Sequence, residues 1–314
     1  MDNVCHSLMG AALGKAGLAR RTTLGMSTLV IANNLPDVDA AVFATNTLVM
    51  SFRRGWTHGV LAQALLPLAL AGTMAAYDRL VVRTRANAPP PAKAGELVLL
   101  AYVGVLAHVF MDFLNSYGVR LLMPFSNRWF YGDALYIVDP WMYLVLGAGW
   151  WLARRRERQG LTRAERPARV AVTVAAVYMA AMLGSNLLAR ATVRDGLTRA
   201  GLPAGTRFMV TPVLVNPFER EVVVDLGARY EKGMVWFEPL PHFRPSGFGI
   251  DTGLNDPAVQ PALQTALARA FLGWSRFPFA AVEPGGIWLN DYRYANVGLG
   301  GWSAVKVISQ TQIQ

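Results

Sequence analysis

The sequence is poor in cysteine and in charged residues. A single cysteine, Cys5, among 314 residues excludes an internal disulfide and a cysteine-rich zinc site. Charged residues make up 16% of the chain against 53% hydrophobic residues, and the mean hydropathy is +0.29. Soluble domains carry a larger charged fraction, so the composition predicts a membrane protein. The N-terminal residues lack the basic region and small-residue cleavage site of a signal peptide, so we expect them to be retained.

Long apolar runs and a later change in composition divide the chain. Four runs are near the roughly 20 residues that cross a bilayer as a helix: 60–77, 97–114, 135–153 and 170–189. Two shorter runs, 3–19 and 22–35, predict two short helices beside the long ones. We therefore predict a mainly α polytopic membrane domain over residues 1–190.

After about residue 190, proline, glycine and charge return. Four segments have strand character, and one helix is expected over residues 258–274; the strand segments are 208–215, 220–226, 234–238 and 286–294. We predict a small, strand-rich α+β domain over residues 191–314.

The positive charge lies in the loops. The net charge is +10, and its densest clusters flank apolar runs at residues 79–96 and 154–169. This distribution indicates a bilayer partner and no nucleic acid, which would require a basic recognition face. The positive-inside rule places both loops in the cytoplasm and therefore the C-terminal domain on the extracytoplasmic side.

Histidines and aspartates occur at the ends of the apolar runs. His108 and Asp112 are four residues apart, which places them on one helix face at the spacing that offers two ligands to one metal ion. A buried, hydrogen-bonded His–Asp pair is the alternative. The predicted topology brings four further residues to the same membrane level, namely His6, Asp37, Asp39 and His58. Because ionisable residues inside a membrane need partners, we predict that a divalent cation binds most of these six side chains at once. The predicted metal ligands are His6, one or both of Asp37 and Asp39, His58, His108 and Asp112.

Imidazole and carboxylate ligands together favour Zn²⁺, with Mn²⁺ or Fe²⁺ as alternatives. A metal-bound water has a pKa near ~7 and can serve as a nucleophile at neutral pH. Either Asp37 or Asp39 would then be a catalytic general base. Asp139 is interpreted as the cap of the helix that begins at Pro140, with membership of the site as the alternative. Arg53 and Arg54 are interpreted as phosphate-binding residues or as interfacial anchors.

Several motifs together resemble the YdjM-like family of bacterial inner-membrane proteins described as metal-dependent hydrolases. The motifs are His6, NLPDVD at 34–39, RGWTHG at 54–59, HVFMD at 108–112, NSYGVRLLMPFS at 115–126 and IVDP at 137–140. The resemblance implies a zinc-dependent hydrolase in the bacterial inner (cytoplasmic) membrane, with the six residues named above as motif positions. The sequence departs from the family at Arg53, where the family commonly has histidine.

The ligand order is also similar to that of the zinc-dependent phospholipase C and single-strand nuclease group. This likeness suggests a phosphoester substrate, including lipid-derived ones. The expected function is thus metal-dependent hydrolysis of an ester or phosphoester bond at the outer membrane face. The alternative is a non-enzymatic membrane protein with a structural metal site and a C-terminal domain that binds an envelope partner. A transporter ranks last, because internal repeats are not evident in the sequence.

Overall fold

The computed structural model describes residues 1–44, 52–297 and 303–307. The chain divides into two compact units, one formed by residues 1–41 and 53–184 and the other chiefly by the residues after 184. The first unit is helical and the second is strand-rich, as the sequence predicts.

Six helices carry most of the described residues before the first strand: α1 Asn3–Lys15, α2 Gly25–Ala32, α3 Val60–Tyr77, α4 Ala94–Phe113, α5 Pro140–Arg158 and α6 Arg166–Arg199. The two short N-terminal helices are confirmed as α1 and α2. Two short 3₁₀ helices, Leu18–Arg21 and Leu35–Ala44, follow α1 and α2, and a π-helical turn, Asp78–Val82, extends α3.

Three helices are long and apolar enough to cross a membrane: Val60–Val82, Ala94–Phe113 and Arg166–Arg199. At about 1.5 Å per residue, even the 20-residue helix spans a hydrocarbon layer of about 30 Å. The predicted span at 135–153 differs, because the helix there begins only at Pro140 and ends in a turn containing three arginines. The count of four spans, and the topology that depends on it, stay predictions.

Helix α4 is the centre of the first unit. One of its faces packs on α2 and α3 through an apolar cluster that includes Ala32, Leu70, Met74 and Ala101. A second cluster joins the end of α4 to α1, α5 and α6, with Met9, Met111, Met142, Leu146 and Met179 among its members. The polar side chains of His108 and Asp112 in α4 are therefore enclosed by neighbouring elements.

The second unit contains two antiparallel sheets. The first has the order β1-β2-β3-β4, with strands Phe208–Pro212, Glu219–Asp225, Arg229–Phe237 and Pro241–Asp251. The second has the order β5-β6-β7, with strands Pro278–Glu283, Gly286–Asp291 and Ala304–Val307. Alternating residues of β2 serve opposite faces of the first sheet: Val222 and Val224 pack with the C-terminal half of α6, and Val223 packs with Phe277 and Tyr292.

Four predicted strands are present, but their bounds differ. The predicted strand at 286–294 ends at Asp291, where a 3₁₀ helix begins, and the strands β4, β5 and β7 were not predicted. Proline and glycine in β4 obscure its pattern, and an edge strand tolerates them. The predicted helix at 258–274 is two helices, α7 Gln260–Leu263 and α8 Ala266–Trp274, because Thr265 caps the second one. Helix α6 runs through the predicted domain boundary at 190/191.

Candidate metal centre

His108 and Asp112 lie on one face of α4 in its final turns, and both are completely buried. The distance from His108 Nε2 to Asp112 Oδ2 is 3.5 Å. The i, i+4 spacing therefore does bring the two side chains together, as the sequence predicts.

Two other segments complete a four-residue group. His58 precedes α3, and its Nε2 lies 3.2 Å from both His108 Nε2 and Asp112 Oδ2. Asp37 is in the 3₁₀ helix after α2, and its Oδ1 lies 4.0 Å from the Nε2 atoms of both histidines. One ligand atom from each of these four buried residues lies within 4.8 Å of the other three.

The separations suit a four-coordinate divalent ion. A tetrahedral site with metal–ligand bonds of about 2.0–2.1 Å places its ligand atoms about 3.3 Å apart. The ligand atoms of His58, His108 and Asp112 are 3.2–3.5 Å apart, close to that value, and Asp37 Oδ1 lies farther away, at 4.0 Å from both histidines. Small side-chain movements would thus bring these atoms to the separations that a bound metal ion requires.

Hydrogen bonds on the far side of each imidazole orient the histidines. His108 Nδ1 is 2.7 Å from the Asn33 carbonyl oxygen, which accepts only, so Nδ1 carries the proton. Thr57 donates its hydroxyl hydrogen to Asp39 Oδ2 over 3.1 Å, so its oxygen accepts from His58 Nδ1 over 2.9 Å. Both Nε2 atoms then present lone pairs toward one another and toward Asp112.

This arrangement leaves acceptors facing acceptors. The two imidazole lone pairs and Asp112 Oδ2 converge with no donor among these three groups, while Asp37 Oδ1 accepts from Arg53 over 3.4 Å. Buried acceptors that face one another are costly unless a cation binds between them. Burial lowers the pKa of His58, which favours the neutral imidazole that a metal needs. The donor set thus fits a divalent metal ion.

Asp39 lies outside the four-residue group. Its Oδ2 accepts hydrogen bonds from the Arg54 backbone amide at 2.7 Å and from Thr57, and lies 3.6 Å from His58 Nδ1. Its Oδ1 is 3.4 Å from Arg53 Nε. Asp39 therefore sits behind His58, as a residue that orients a ligand.

His6 lies beside the group rather than in it. Its ring stacks on His108 with centroids 3.8 Å apart, and its Nε2 is 3.3 Å from Asp112 Oδ1. Its Nδ1 is buried, with no hydrogen-bond partner among the residues that the structure describes. Asp112 Oδ1 also lies 3.1 Å from the guanidinium of Arg54 and contacts the amino group of Met1. The two oxygens of Asp112 thus face different partners.

The two arginines before His58 are part of the site. Arg53 bridges the two aspartates, with its Nη2 3.4 Å from Asp37 Oδ1 and its Nε 3.4 Å from Asp39 Oδ1. Arg54 is buried, pairs with Asp112 and donates to Asn115 Oδ1 over 3.2 Å. Neither is a free interfacial anchor.

The remaining candidates have structural roles. Asp139 caps α5, where its Oδ1 accepts from the amides of Trp141 at 3.0 Å and Met142 at 3.2 Å, so the cap interpretation is confirmed. His242, which sequence reasoning left out, stacks on Trp236 in the second unit.

Sequence reasoning missed Asn33 and Thr57, which hold the two imidazoles. Asn33 acts through its backbone carbonyl, and the residue type gives no indication of such a contact. Thr57 is adjacent to His58, and this position was a weak indication of its role.

The helices and this cluster define a membrane protein with several apolar helices and a buried His/Asp group that could hold a metal ion. Residues 1–193 match the family described as YdjM inner membrane protein. The chain belongs to this family, as the sequence motifs predict.

One curated relative is the uncharacterized protein YfhP of Bacillus subtilis (strain 168). It is 25% identical over 155 residues, which cover 46% of this chain and 43% of the relative. The match therefore spans less than half of either protein. No solved structure matches the chain.

Proposed function

We propose that the protein is a membrane-bound, metal-dependent hydrolase that cleaves an ester or phosphoester bond. The observation that carries the proposal is the convergence of Asp37, His58, His108 and Asp112 on one buried point. Structural zinc sites are built mainly from cysteine, whereas hydrolytic zinc sites use histidine and carboxylate. The donor set of this cluster belongs to the second type.

His58, His108 and Asp112 would hold Zn²⁺, with Mn²⁺ or Fe²⁺ as alternatives, and would leave one position of the ion for water beside Asp37. The bound ion would supply a Lewis acid and an activated water near neutral pH. Asn33 and Thr57 keep the two imidazoles in the ligand tautomer. Asp37 is the candidate proton acceptor, because both oxygens of Asp39 already accept hydrogen bonds or ion pairs.

The charge of the site supports an anionic substrate. Three carboxylates face two guanidinium groups, those of Arg53 and Arg54. Without a metal, the three carboxylates and two guanidinium groups have a net charge of one negative. A bound divalent ion would change the net charge of the site to one positive. Positive charge held in a dry site stabilises the negative charge that develops when an ester or phosphoester is attacked.

The test is metal analysis of the full-length protein purified in detergent, followed by a panel of chromogenic carboxylate esters, phosphomonoesters and phosphodiesters. We expect one metal ion per chain in the wild type and loss of both metal and turnover in His108→Ala and Asp112→Ala. His242→Ala is the matched histidine control and should retain both. Full metal occupancy in the two ligand variants would refute the ligand assignment.

A pair of isosteric variants separates the roles of the two neighbouring aspartates. Asp37→Asn removes the proton acceptor and leaves the three ligand side chains in place, so turnover should fall by more than 100-fold while much of the metal stays bound. Asp39→Asn should weaken metal affinity by about 10- to 100-fold and leave turnover largely intact at saturating metal, because it only orients His58. Equal effects of the two changes on both quantities would contradict this division.

A structural metal site is the second candidate, and the near-complete burial of all four residues favours it. The protein would then be non-enzymatic, with a C-terminal unit that binds an envelope partner. Stoichiometric metal, unfolding on chelation and no turnover of any ester would support this function over hydrolysis.

We also infer that the second unit is extracytoplasmic, because the arginine-rich loops at 79–96 and 154–169 follow the positive-inside rule. Single cysteines placed at the exposed residues Asn87 and Phe248 should react from opposite sides of the membrane in intact spheroplasts. Labelling of Asn87→Cys by an impermeant reagent, with protection of Phe248→Cys, would reverse the orientation.

A further inference from the structure

The ends of two candidate spans lie at the metal centre. His58 stands two residues before the span Val60–Val82, and Asp112 is the penultimate residue of the span Ala94–Phe113. The two helices pack side by side, so the boundary of the hydrocarbon layer passes close to the cluster.

Segment 120–123 runs beside the residues that carry His58. The Arg120 amide donates to the Arg54 carbonyl over 2.8 Å, and the Val60 amide donates to the Leu121 carbonyl over 2.8 Å. A β-carbon at Gly59 would lie 2.4 Å from the Met123 carbonyl oxygen, so the two segments are in direct contact next to His58. The turn that follows, closed by the Phe125 amide on the Leu122 carbonyl, is thereby fixed at the site.

Large apolar side chains on these segments are exposed. Phe125 is 80% exposed, Val38 56%, Trp56 51% and Leu122 44%. Val38 lies between the two aspartates, and Trp56 lies between Arg54 and His58. We call these four residues the apolar rim. Each is attached to a segment that supplies or supports the metal centre.

Aromatic and basic side chains accompany the rim. Arg120 lies over the ring of Trp129 at 5.0 Å, and Trp129 stacks against Tyr131 with centroids 6.4 Å apart. Tryptophan, tyrosine and arginine concentrate at the level of the lipid head groups, where an apolar body and a polar end are both solvated. Exposing the apolar surface of the rim to water would cost free energy, whereas at the level of the head groups the lipid covers and stabilises this surface.

We propose that the apolar rim is seated in the interfacial layer of the bilayer, and that the substrate is a bilayer amphiphile with an anionic phosphate-containing head group. The acyl chain stays in the lipid beside the rim while the head group enters between Arg53, Arg54 and the metal ligands. The substrate part of this inference rests on the proposed hydrolase function. The position of the rim in the membrane does not.

The first experiment locates the rim without reference to catalysis. A cysteine at Phe125, in a Cys5→Ala background, carries an environment-sensitive fluorophore in full-length protein reconstituted into phosphatidylcholine–phosphatidylglycerol nanodiscs. Brominated acyl chains should quench it several-fold more strongly than the same probe at Asn87, an exposed position in the proline-rich loop after α3. Equally weak quenching at both positions overturns the proposal. If the background variant does not fold, native Cys5 can be kept, because it is fully buried.

The second experiment tests the amphiphile. The zinc-loaded protein is given a fluorogenic phosphodiester with a long acyl chain in nanodiscs, and the same head group without the chain in solution. We expect at least a 10-fold preference for the membrane-held substrate, and loss of that preference in Phe125→Ser with Leu122→Ser. His108→Ala should abolish both reactions.

The outcomes separate the two proposals. Equal turnover of both substrates, unaffected by the rim variant, overturns the amphiphile even though hydrolysis is established. Strong quenching at position 125 with no turnover of either substrate supports the membrane-seated rim and refutes the hydrolase function.

Discussion

Helices α2 and α4 meet at Gly104, and a methyl group there should weaken the metal centre from a distance. A β-carbon at position 104 would lie 2.4 Å from Ala32 Cβ and 3.2 Å from the Asn33 amide nitrogen. Carbon atoms pack at about 3.5–4.0 Å, so Gly104→Ala must move the end of α2 by about 1 Å. Overpacking of this kind costs about 1–3 kcal/mol of stability.

The same displacement acts on a ligand. His108 lies one helical turn after Gly104, and its Nδ1 donates to the Asn33 carbonyl over 2.7 Å. Lengthening this contact by about 1 Å removes the hydrogen bond. Loss of such a supporting contact typically reduces metal affinity by about 10- to 100-fold. We expect a reduction in that range, because the ring loses its fixed tautomer and orientation.

The assay is chelator competition for zinc in detergent, with thermal unfolding measured on the same samples. Gly95→Ala is the matched control: it lies in α4, and a β-carbon at this position would have no neighbouring atom within 4 Å among the described residues. The control should bind zinc normally and be as stable as the wild type or slightly more so, since alanine favours helix over glycine. Wild-type zinc affinity in Gly104→Ala would refute the reasoning that the Asn33 carbonyl supports His108.

Three further predictions concern other contacts. Asp139→Ala should destabilise the protein by about 1–2 kcal/mol in thermal unfolding without changing metal content, because it removes the cap of α5; loss of metal would place the residue in the site instead. Thr57→Val should reduce zinc affinity about 10-fold in chelator competition, because His58 Nδ1 loses its acceptor; unchanged affinity would contradict that role. In the second unit, burial raises the pKa of Asp291, but the Arg293 guanidinium and its hydrogen bonds outweigh burial and hold that pKa below its usual range. The ion pair therefore contributes stability above about pH 4, and this is lost as the pH falls through the lowered pKa. Arg293→Met should destabilise the second unit by about 3–5 kcal/mol at pH 7 and abolish that acid dependence, as followed by tryptophan fluorescence.

The arginine at position 53 has a structural consequence. Its guanidinium lies 3.4 Å from an oxygen of each of the two aspartates, so a fixed cation occupies the space between them. The carboxylates near the membrane are thus held by arginine as well as by any metal.

The choice between Asp37 and Asp39 illustrates what the sequence left open. The two residues lie in a 3₁₀ helix, where each residue advances by about 120°, so side chains two positions apart also point about 120° apart. In the structure only Asp37 joins His58, His108 and Asp112 in the four-residue group. The sequence predicted neither the 3₁₀ geometry nor its orientation, and so left open which aspartate is the ligand and which is the base.

The sequence by itself determined the membrane class and the helical first half, because runs of about 20 apolar residues have few other stable environments. It also determined the pairing of His108 with Asp112, since the helix period alone places them together. Tertiary structure decided the rest. Contacts between residues up to 75 positions apart determine which residues from separate segments share one point. Such contacts also determine that the Asn33 carbonyl and the Thr57 hydroxyl set the imidazole tautomers. Local sequence patterns do not predict such contacts.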